Sequence, residues 1–229
     1  MTEDWKPKTE LGAKVKSKEI QDIDEILNKG QKILESEITD ILIPNLESYL
    51  IEIGQSKGKF GGGKRSIWRQ TQKKTKEGNK AKFATMTAVG NHDGYIGIGF
   101  GKSKETMPAR QKSLRQAKLN ITKIKRGCGS WECNCGEPHS IPFQVEGKCG
   151  SIKIILKPAP KGTGLITEDS VQKILNLAGI RDIYSKTFGQ TKVRINLTKA
   201  LVDALKQLSQ MRVKPDYVEK AGVIDGRKK

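Results

Sequence analysis

The chain has 229 residues, a formal net charge of +18 at pH 7 and only 5% aromatic residues. This length allows one large domain or two small ones, and no apolar run approaches the roughly 18 residues that a membrane-spanning helix requires. The polar, acidic N-terminus excludes a secretory signal, and so few aromatic side chains exclude base stacking as the main mode of binding.

The positive charge is concentrated in one third of the chain. Residues 55–126 hold 19 of the 43 basic residues and three of the 25 acidic ones, a net charge of +16. Such concentration indicates a surface that meets a strongly negative partner, usually a polyphosphate backbone. A membrane surface is the weaker alternative, because no predicted helix pairs a basic face with an apolar, aromatic one.

Residues 1–45 are predicted to form an N-terminal leader. Apolar residues at helical spacing between positions 20 and 27 predict a helix with Ser17 as its N-cap and Gly30 as its stop. A shorter pattern at 38–42 predicts a second helix. The leader is net acidic, so we expect it to pack against protein rather than RNA.

A glycine-rich, basic segment, KGKFGGGKR at 57–65, follows the leader. Its composition is typical of a flexible arm. The arm could order along phosphates or remain a solvated linker; four cations without an acid favour contact with phosphates.

Residues 46–125 are predicted to form a compact domain of three antiparallel strands and one helix. Strands are expected at 67–74 and 81–89, joined by a hairpin loop at 76–80, and a third at 95–100. A two-layer β-β-β-α unit with cations in the hairpin and at the helix start is typical of double-stranded-RNA-binding domains, which read A-form RNA by its shape and phosphates.

The helix of this domain is predicted to begin after Ser103 and to continue to about residue 125, with Pro108 in its first turns. The expected packing stripe consists of Ala109, Leu114, Ala117, Ile121 and Ile124.

The outward-pointing cations of the hairpin, the third strand and the helix are the candidate phosphate ligands. They are Lys73, Lys74, Lys76, Lys80, Lys82, Lys102, Lys104, Arg110 and Arg115.

The run Gly97–Ser103, GIGFGKS, imitates a nucleotide-binding loop. It lacks the first glycine of a P-loop, and Lys102 replaces the last glycine of the dinucleotide fingerprint. A strand with no side chains on one face instead predicts close approach of another backbone, either the packed helix or an RNA strand.

Residues 126–210 are predicted to form a second, small β-α-β-α domain, and 211–229 a polar tail that extends to another partner. Strands are expected at 141–146, 151–156 and 181–187, and helices at 168–178 and 196–208. The predicted buried side of the last helix is Leu197, Ala200, Leu201, Ala204, Leu205 and Leu208.

Four cysteines fall at Cys128, Cys133, Cys135 and Cys149, with His139 among them. No C-x2-C knuckle occurs, so both structural zinc and free or buried thiols stay open, and either Cys149 or His139 would have to complete a zinc site. Structural disulfides are not expected in a reducing compartment.

No nucleophile–base pair stands out, and the zinc-deaminase signature is absent. We therefore predict that the protein is not an enzyme and has no small-molecule substrate.

Several long motifs, in order, resemble those of ribosomal protein five of the small subunit. They are GNHDGYIGIGFGKSKE, ARQKSLRQAKLNI, GEPHSIPFQVEGKCGSIKIILKPAPKGTG and LAGIRDIYSKTFGQT. The leader resembles the archaeal and eukaryotic form of the family, and the cysteine loop GCGSWECNCGEPHS resembles the archaeal one. The similarity covers roughly residues 4–210.

The resemblance implies a double-stranded-RNA-binding-like domain followed by a β-α-β-α domain. It also implies a ribosome-bound, cytoplasmic protein that binds ribosomal RNA near the messenger entry and decoding region. The implied partners are ribosomal proteins four and eight of the small subunit, and the implied role is in translational accuracy.

Within the resemblance, the family's RNA-contacting hairpin falls on Thr75–Lys82, its glycine-lysine run on Gly97–Lys102 and its helix arginine on Arg110. One departure is an insertion of about fifteen residues, Gln55–Arg69, before the first strand of the hairpin.

Two alternatives accompany this interpretation. One is a free-standing regulator that binds duplex RNA, and the other is a zinc-dependent enzyme acting on nucleic acid.

Overall fold

The computed structural model describes residues 5–56, 58, 65–133 and 135–227. The chain divides into two compact units, Met1–Asn91 with Gly97–Ile121 and His92–Ile96 with Thr122–Lys229. The helices are α1 (Glu10–Lys16), α2 (Ile23–Asn28), α3 (Ser36–Leu42), α4 (Thr106–Leu119), α5 (Asp169–Leu177), α6 (Arg194–Gln210) and α7 (Pro215–Ala221). The strands are β1 (Glu47–Ile51), β2 (Arg69–Thr75), β3 (Gly78–Gly90), β4 (Tyr95–Ser103), β5 (Ile121–Lys123), β6 (Lys125–Arg126), β7 (Val145–Cys149), β8 (Ile152–Pro158), β9 (Leu165–Ile166), β10 (Ile183–Phe188) and β11 (Ile224–Asp225). Within the described ranges, no helix combines the length and the apolar character needed to cross a bilayer.

The leader forms three short helices rather than two. Thr9 caps α1, because its hydroxyl accepts a hydrogen bond from the backbone N–H of Gly12. Ser17 is the C-cap of α1 and Asp22 the N-cap of α2, so the prediction that Ser17 caps the helix at positions 20–27 is wrong. The chain turns between them at Lys18, whose φ is +63°.

The sheet of the first unit is built around the 13-residue strand β3. β1 pairs with the second half of β3, β2 pairs with its first half, and the main path runs β1-β3-β4-β5. The chain leaves the sheet between β1 and β2, and a 2.7 Å hydrogen bond from Gly54 N to Ser66 O closes the base of this excursion. The arm predicted at 57–65 lies largely outside the described residues.

The hairpin between β2 and β3 is tighter than predicted. The strands continue to Thr75 and Gly78, which leaves a turn of Lys76 and Glu77 instead of a loop at 76–80. Gly78 has a φ of +114°, and the Thr75 hydroxyl donates a 2.7 Å hydrogen bond to the Gly78 carbonyl. The positive φ available to glycine allows this short connection.

Helix α4 is shorter than predicted at both ends. Ser103 ends β4, and Glu105 is the N-cap of the helix. The helix stops before Asn120, and Ile121 enters strand β5, because β-branched residues favour extended backbone. Ile121 and Ile124 are buried as predicted, but outside the helix.

The alternating glycines of β4 let α4 lie directly on the sheet. The backbone that the GIGFGKS run approaches is therefore that of α4. Because the helix occupies this face of β4, a nucleotide cannot bind there. A Cβ atom on any of Gly97, Gly99 and Gly101 would overlap backbone atoms of Ala117, Ser113 and Ala109. A 2.7 Å hydrogen bond between the hydroxyls of Thr87 and Ser113 joins β3 to the same helix.

The second unit contains a four-stranded sheet in the order β7-β8-β10-β9, with α6 packed on β7 and β8. Its first strand begins at Val145 rather than 141, since Ile141 and Pro142 precede it in irregular backbone. The buried face predicted for the last helix is confirmed at all six positions: Leu197, Ala200, Leu201, Ala204, Leu205 and Leu208.

The tail folds back instead of extending away. Pro215 occupies the first turn of α7, and Gly222 ends the helix in the left-handed conformation, with φ +56°. β11 then pairs antiparallel with β6.

Candidate nucleic-acid interface and cysteine cluster

All nine predicted phosphate ligands are exposed. They are Lys73, Lys74, Lys76, Lys80, Lys82, Lys102, Lys104, Arg110 and Arg115, and all belong to the first unit. Only Lys80 has a carboxylate partner in the described part of the chain, at 2.8 Å from Glu77. The remaining charges are available to an external anion.

One face of the hairpin carries like charges in direct opposition. Lys73 on β2 lies across from Lys80 on β3, and Lys82 follows two residues later on the same face. Cross-strand pairs of like charge destabilise a sheet by up to about 1 kcal/mol. An arrangement that costs stability in the isolated chain is expected where a negative partner offsets it.

Arg69 joins this face, and the sequence-based prediction missed it. It lies at the start of β2, in register with Ala84, and is exposed. The signal was present in the sequence: Arg69, Thr71 and Lys73 are spaced by two residues, so a strand places all three on one side.

The same face of the sheet continues onto β4. Thr87 and Gly101 contact α4, so strand alternation carries Lys80, Lys82 and Lys102 to the opposite side. We call this surface, made of Arg69, Lys73, Lys80, Lys82 and Lys102, the basic sheet face. The structure does not bring the remaining five candidates onto it. Lys74 lies on the other side of the hairpin, and Lys76 lies in its turn. Lys104 directly follows β4, and Arg110 and Arg115 are exposed on α4.

The second unit brings three cysteines together with a histidine. The ligand atoms of Cys128, Cys133, Cys135 and His139 all lie within 4.8 Å of one another. Cys149 is not in this group; it ends β7 opposite Ile152. Of the two residues that could complete a site, the structure therefore brings His139 to the cluster.

The thiols of the cluster differ in acidity. Burial raises the pKa of Cys128 to about 11, with a further contribution from the neighbouring Cys135 thiol. The backbone N–H of Lys161 lowers the pKa of Cys133 to about 6. The lowered pKa of Cys133 favours the thiolate, the form that binds a metal or attacks an electrophile.

A carboxylate lies beside the histidine. His139 Nδ1 lies 2.8 Å from Asp182 Oδ2, and both side chains are about 5% exposed. The other carboxylate oxygen of Asp182 accepts hydrogen bonds from the backbone N–H groups of Gly162 and Gly164. His139 Nε2 consequently faces the sulfurs, at 3.9 Å from Cys133 Sγ.

Two segments of the chain match models of known protein families. Residues 67–125 match the family described as ribosomal protein S5, N-terminal domain, and residues 147–218 match ribosomal protein S5, C-terminal domain. The chain is 50% identical over 224 residues to small ribosomal subunit protein uS5 of Nanoarchaeum equitans, covering 98% of this chain and 96% of that protein.

The chain belongs to the uS5 family.

Two further relatives carry the same name. Identity is 44% over 225 residues with Methanocaldococcus jannaschii, covering 98% of this chain and 97% of the relative. It is 43% over 226 residues with Methanococcus maripaludis, covering 99% and 94%. The resemblance to ribosomal protein five, archaeal in type, is confirmed.

Membership in the uS5 family confirms the predicted fold class, an α+β protein with an N-terminal and a C-terminal domain. The relatives are named as proteins of the small ribosomal subunit. As a member of this ribosomal family, the protein is a structural constituent of that subunit and not an enzyme.

Proposed function

We propose that this uS5-family protein binds small-subunit ribosomal RNA through the basic sheet face and the outer side of α4. The observation that carries the proposal is the direct opposition of Lys73 and Lys80 on an exposed hairpin. Phosphate contacts of this kind position a protein on RNA without reading its bases.

The place of binding follows from the resemblance to the family. The protein contacts ribosomal RNA near the messenger entry and decoding region, on cytoplasmic ribosomes. It also contacts ribosomal proteins four and eight of the small subunit and contributes to translational accuracy. The net acidic leader, with its three packed helices, supports contact with protein rather than RNA at that end of the chain.

This role calls for no catalytic cofactor and no small-molecule substrate. The cysteine cluster could hold one structural zinc ion.

Salt dependence of binding to a ribosomal RNA fragment tests the proposal. The five cations of the basic sheet face, together with Arg110 and Arg115 on α4, predict a slope of log K against log salt on the order of −5 to −6, because each phosphate contact releases a condensed counterion. Replacing Lys73, Lys80 and Lys82 with Gln is expected to weaken that slope by roughly 2 to 3.

A matched control removes the same charge elsewhere. Lys148, Lys157 and Lys186 are lysines on strands of the second unit. Changing these three to Gln is expected to leave the slope nearly unchanged. A wild-type slope near zero, or equal losses in the two triple variants, would reject the proposed surface.

A further inference from the structure

We propose that Cys128, Cys133, Cys135 and His139 bind one zinc ion, and that this ion fastens the C-terminal segment 215–226 to the cysteine loop.

The donor atoms are close to the geometry that zinc requires. With Zn–S bonds of about 2.3 Å, the sulfurs of a tetrahedral site lie roughly 3.8 Å apart. The ligand atoms here lie within 4.8 Å of one another, and Cys133 Sγ and His139 Nε2 are 3.9 Å apart. Movements of about 1 Å or less would close the tetrahedron.

The surroundings of His139 match those of a metal ligand. Asp182 faces Nδ1, so Nε2 is left to point at the sulfurs. Metal-binding histidines usually hold their second nitrogen against a carboxylate or a carbonyl, which fixes the ring and raises its basicity. The loop at 162–164 in turn holds Asp182 through two backbone N–H groups.

The donor set favours zinc over a disulfide and over an iron–sulfur cluster. Three thiolates and an imidazole form one of the common structural zinc sets. A disulfide between two of the cysteines would leave the third sulfur and the inward-facing imidazole without a role. Most iron–sulfur clusters are held by four cysteines, and Cys149 lies outside the group.

The C-terminal segment lies against the same loop. The backbone N–H of Cys128 donates a 2.7 Å hydrogen bond to the carbonyl of Ala221. Gly222 approaches the carbonyl of Gly136 so closely that a Cβ atom would overlap it. The Tyr217 hydroxyl donates a 2.6 Å hydrogen bond to the Pro142 carbonyl. A metal that fixes the loop between residues 128 and 139 therefore also fixes the backbone that Ala221 and Gly222, at the end of α7, contact.

Metal analysis of the purified full-length chain tests the site. We expect one zinc per chain by inductively coupled plasma mass spectrometry, and substoichiometric zinc in Cys135→Ser. The matched control is Cys149→Ser, which removes a cysteine outside the group and should retain one zinc. Asp182→Asn keeps all four ligands, and competition with a chromophoric chelator should show zinc affinity about 10- to 100-fold weaker.

Amide hydrogen exchange tests whether zinc fastens the C-terminal segment 215–226 to the cysteine loop. Removal of zinc by a chelator should accelerate exchange in residues 215–225, while the hairpin of β2 and β3 should be unchanged. The ribosomal RNA salt slope should also be unchanged, so failure of this proposal is distinct from failure of the RNA-binding surface.

Three results would overturn the inference: a metal-free chain, an intramolecular disulfide among the three cysteines by mass spectrometry, or equal zinc content in the two Cys→Ser variants. If Cys135→Ser does not fold, the Asp182→Asn titration decides, and an affinity equal to that of the wild type contradicts the site. Loss of zinc without faster exchange in 215–225 contradicts the fastening.

Discussion

Glu35 is the residue that ties the start of the chain to α3. It is 8% exposed, and its Oε1 atom accepts backbone hydrogen bonds from Lys8 at 2.9 Å and Thr9 at 2.7 Å. Burial alone would raise the pKa of Glu35, but the hydrogen bonds from Thr9 and Lys8 outweigh it and lower the pKa below the usual value for a glutamate. The ionised carboxylate is therefore the form that stabilises the leader.

This contribution gives the leader a defined pH dependence. A carboxyl group whose folded pKa is lowered stabilises the fold above its unfolded pKa, and the stabilisation is lost as pH falls through the folded value. Amide exchange of α1, corrected for the intrinsic rate, should be constant from pH 7 to about 5 and should accelerate below about 4.5.

At neutral pH, Glu35→Gln should reproduce part of the acid effect. Loss of the charge-assisted bonds is expected to cost about 1 kcal/mol, roughly a fivefold change in the opening equilibrium of α1. Glu37→Gln on the same helix is the control, because Glu37 accepts neither of these backbone hydrogen bonds. Equal exchange in the two variants would contradict the role given to Glu35.

At the scale of elements, the contact between β4 and α4 depends on the absence of side chains. Gly99→Ala places a methyl group on the backbone of Ser113 and Ala117. Overpacking of this kind costs about 1–3 kcal/mol or more, and each kcal/mol lowers Tm by about 2–4 °C in a chain of this size. Thermal unfolding followed by circular dichroism should show the loss.

Gly58→Ala is the matched substitution at an open position. Among the residues that the structure describes, no heavy atom lies within 4 Å of a Cβ at Gly58, and its φ is not in the left-handed region. Its Tm should stay within about 2 °C of the wild type. If both alanine variants unfolded at the same temperature, close packing would not explain the glycines of β4.

The same elements show what sequence could and could not predict. The alternating glycines of β4 predicted the close approach of another backbone. Either a helix or an RNA strand could have been that neighbour, because both require a strand face without side chains, so the sequence did not decide between them. The end of α4 was misplaced because Ile121 and Ile124 continue the helical spacing by coincidence. The turn length of the hairpin depended on whether Gly78 adopts a positive φ, which composition does not fix.

The cysteine cluster was predictable only in part. Its three closely spaced cysteines were evident, but His139 and Cys149 were equally plausible fourth members along the chain. The direction of β7 decides between them, since it carries Cys149 away from the group. The partner carboxylate Asp182 lies 43 residues from His139 in sequence and had no local signal. Tertiary structure alone supplies these choices.

At the scale of the whole molecule, charge is distributed unevenly along the chain. Residues 55–126 carry most of the net positive charge, and the leader is net acidic. The C-terminal tail was predicted to reach a partner; in the structure it pairs with β6 and contacts the cysteine loop. Proline at the start of α7 and glycine after its end were the sequence signals of a folded segment.

Incorporation into small subunits tests the central claim, that the hairpin cations hold this uS5-family protein on ribosomal RNA. Tagged wild type, a variant with Lys73, Lys80 and Lys82 changed to Glu, and a control with Lys148, Lys157 and Lys186 changed to Glu would each compete with untagged protein. Sucrose gradients of native extract would then be probed for the tag. Wild type and control should sediment with small subunits, whereas the hairpin variant should stay at the top of the gradient. Equal incorporation of all three, or a wild-type chain that never sediments with small subunits, would contradict the account.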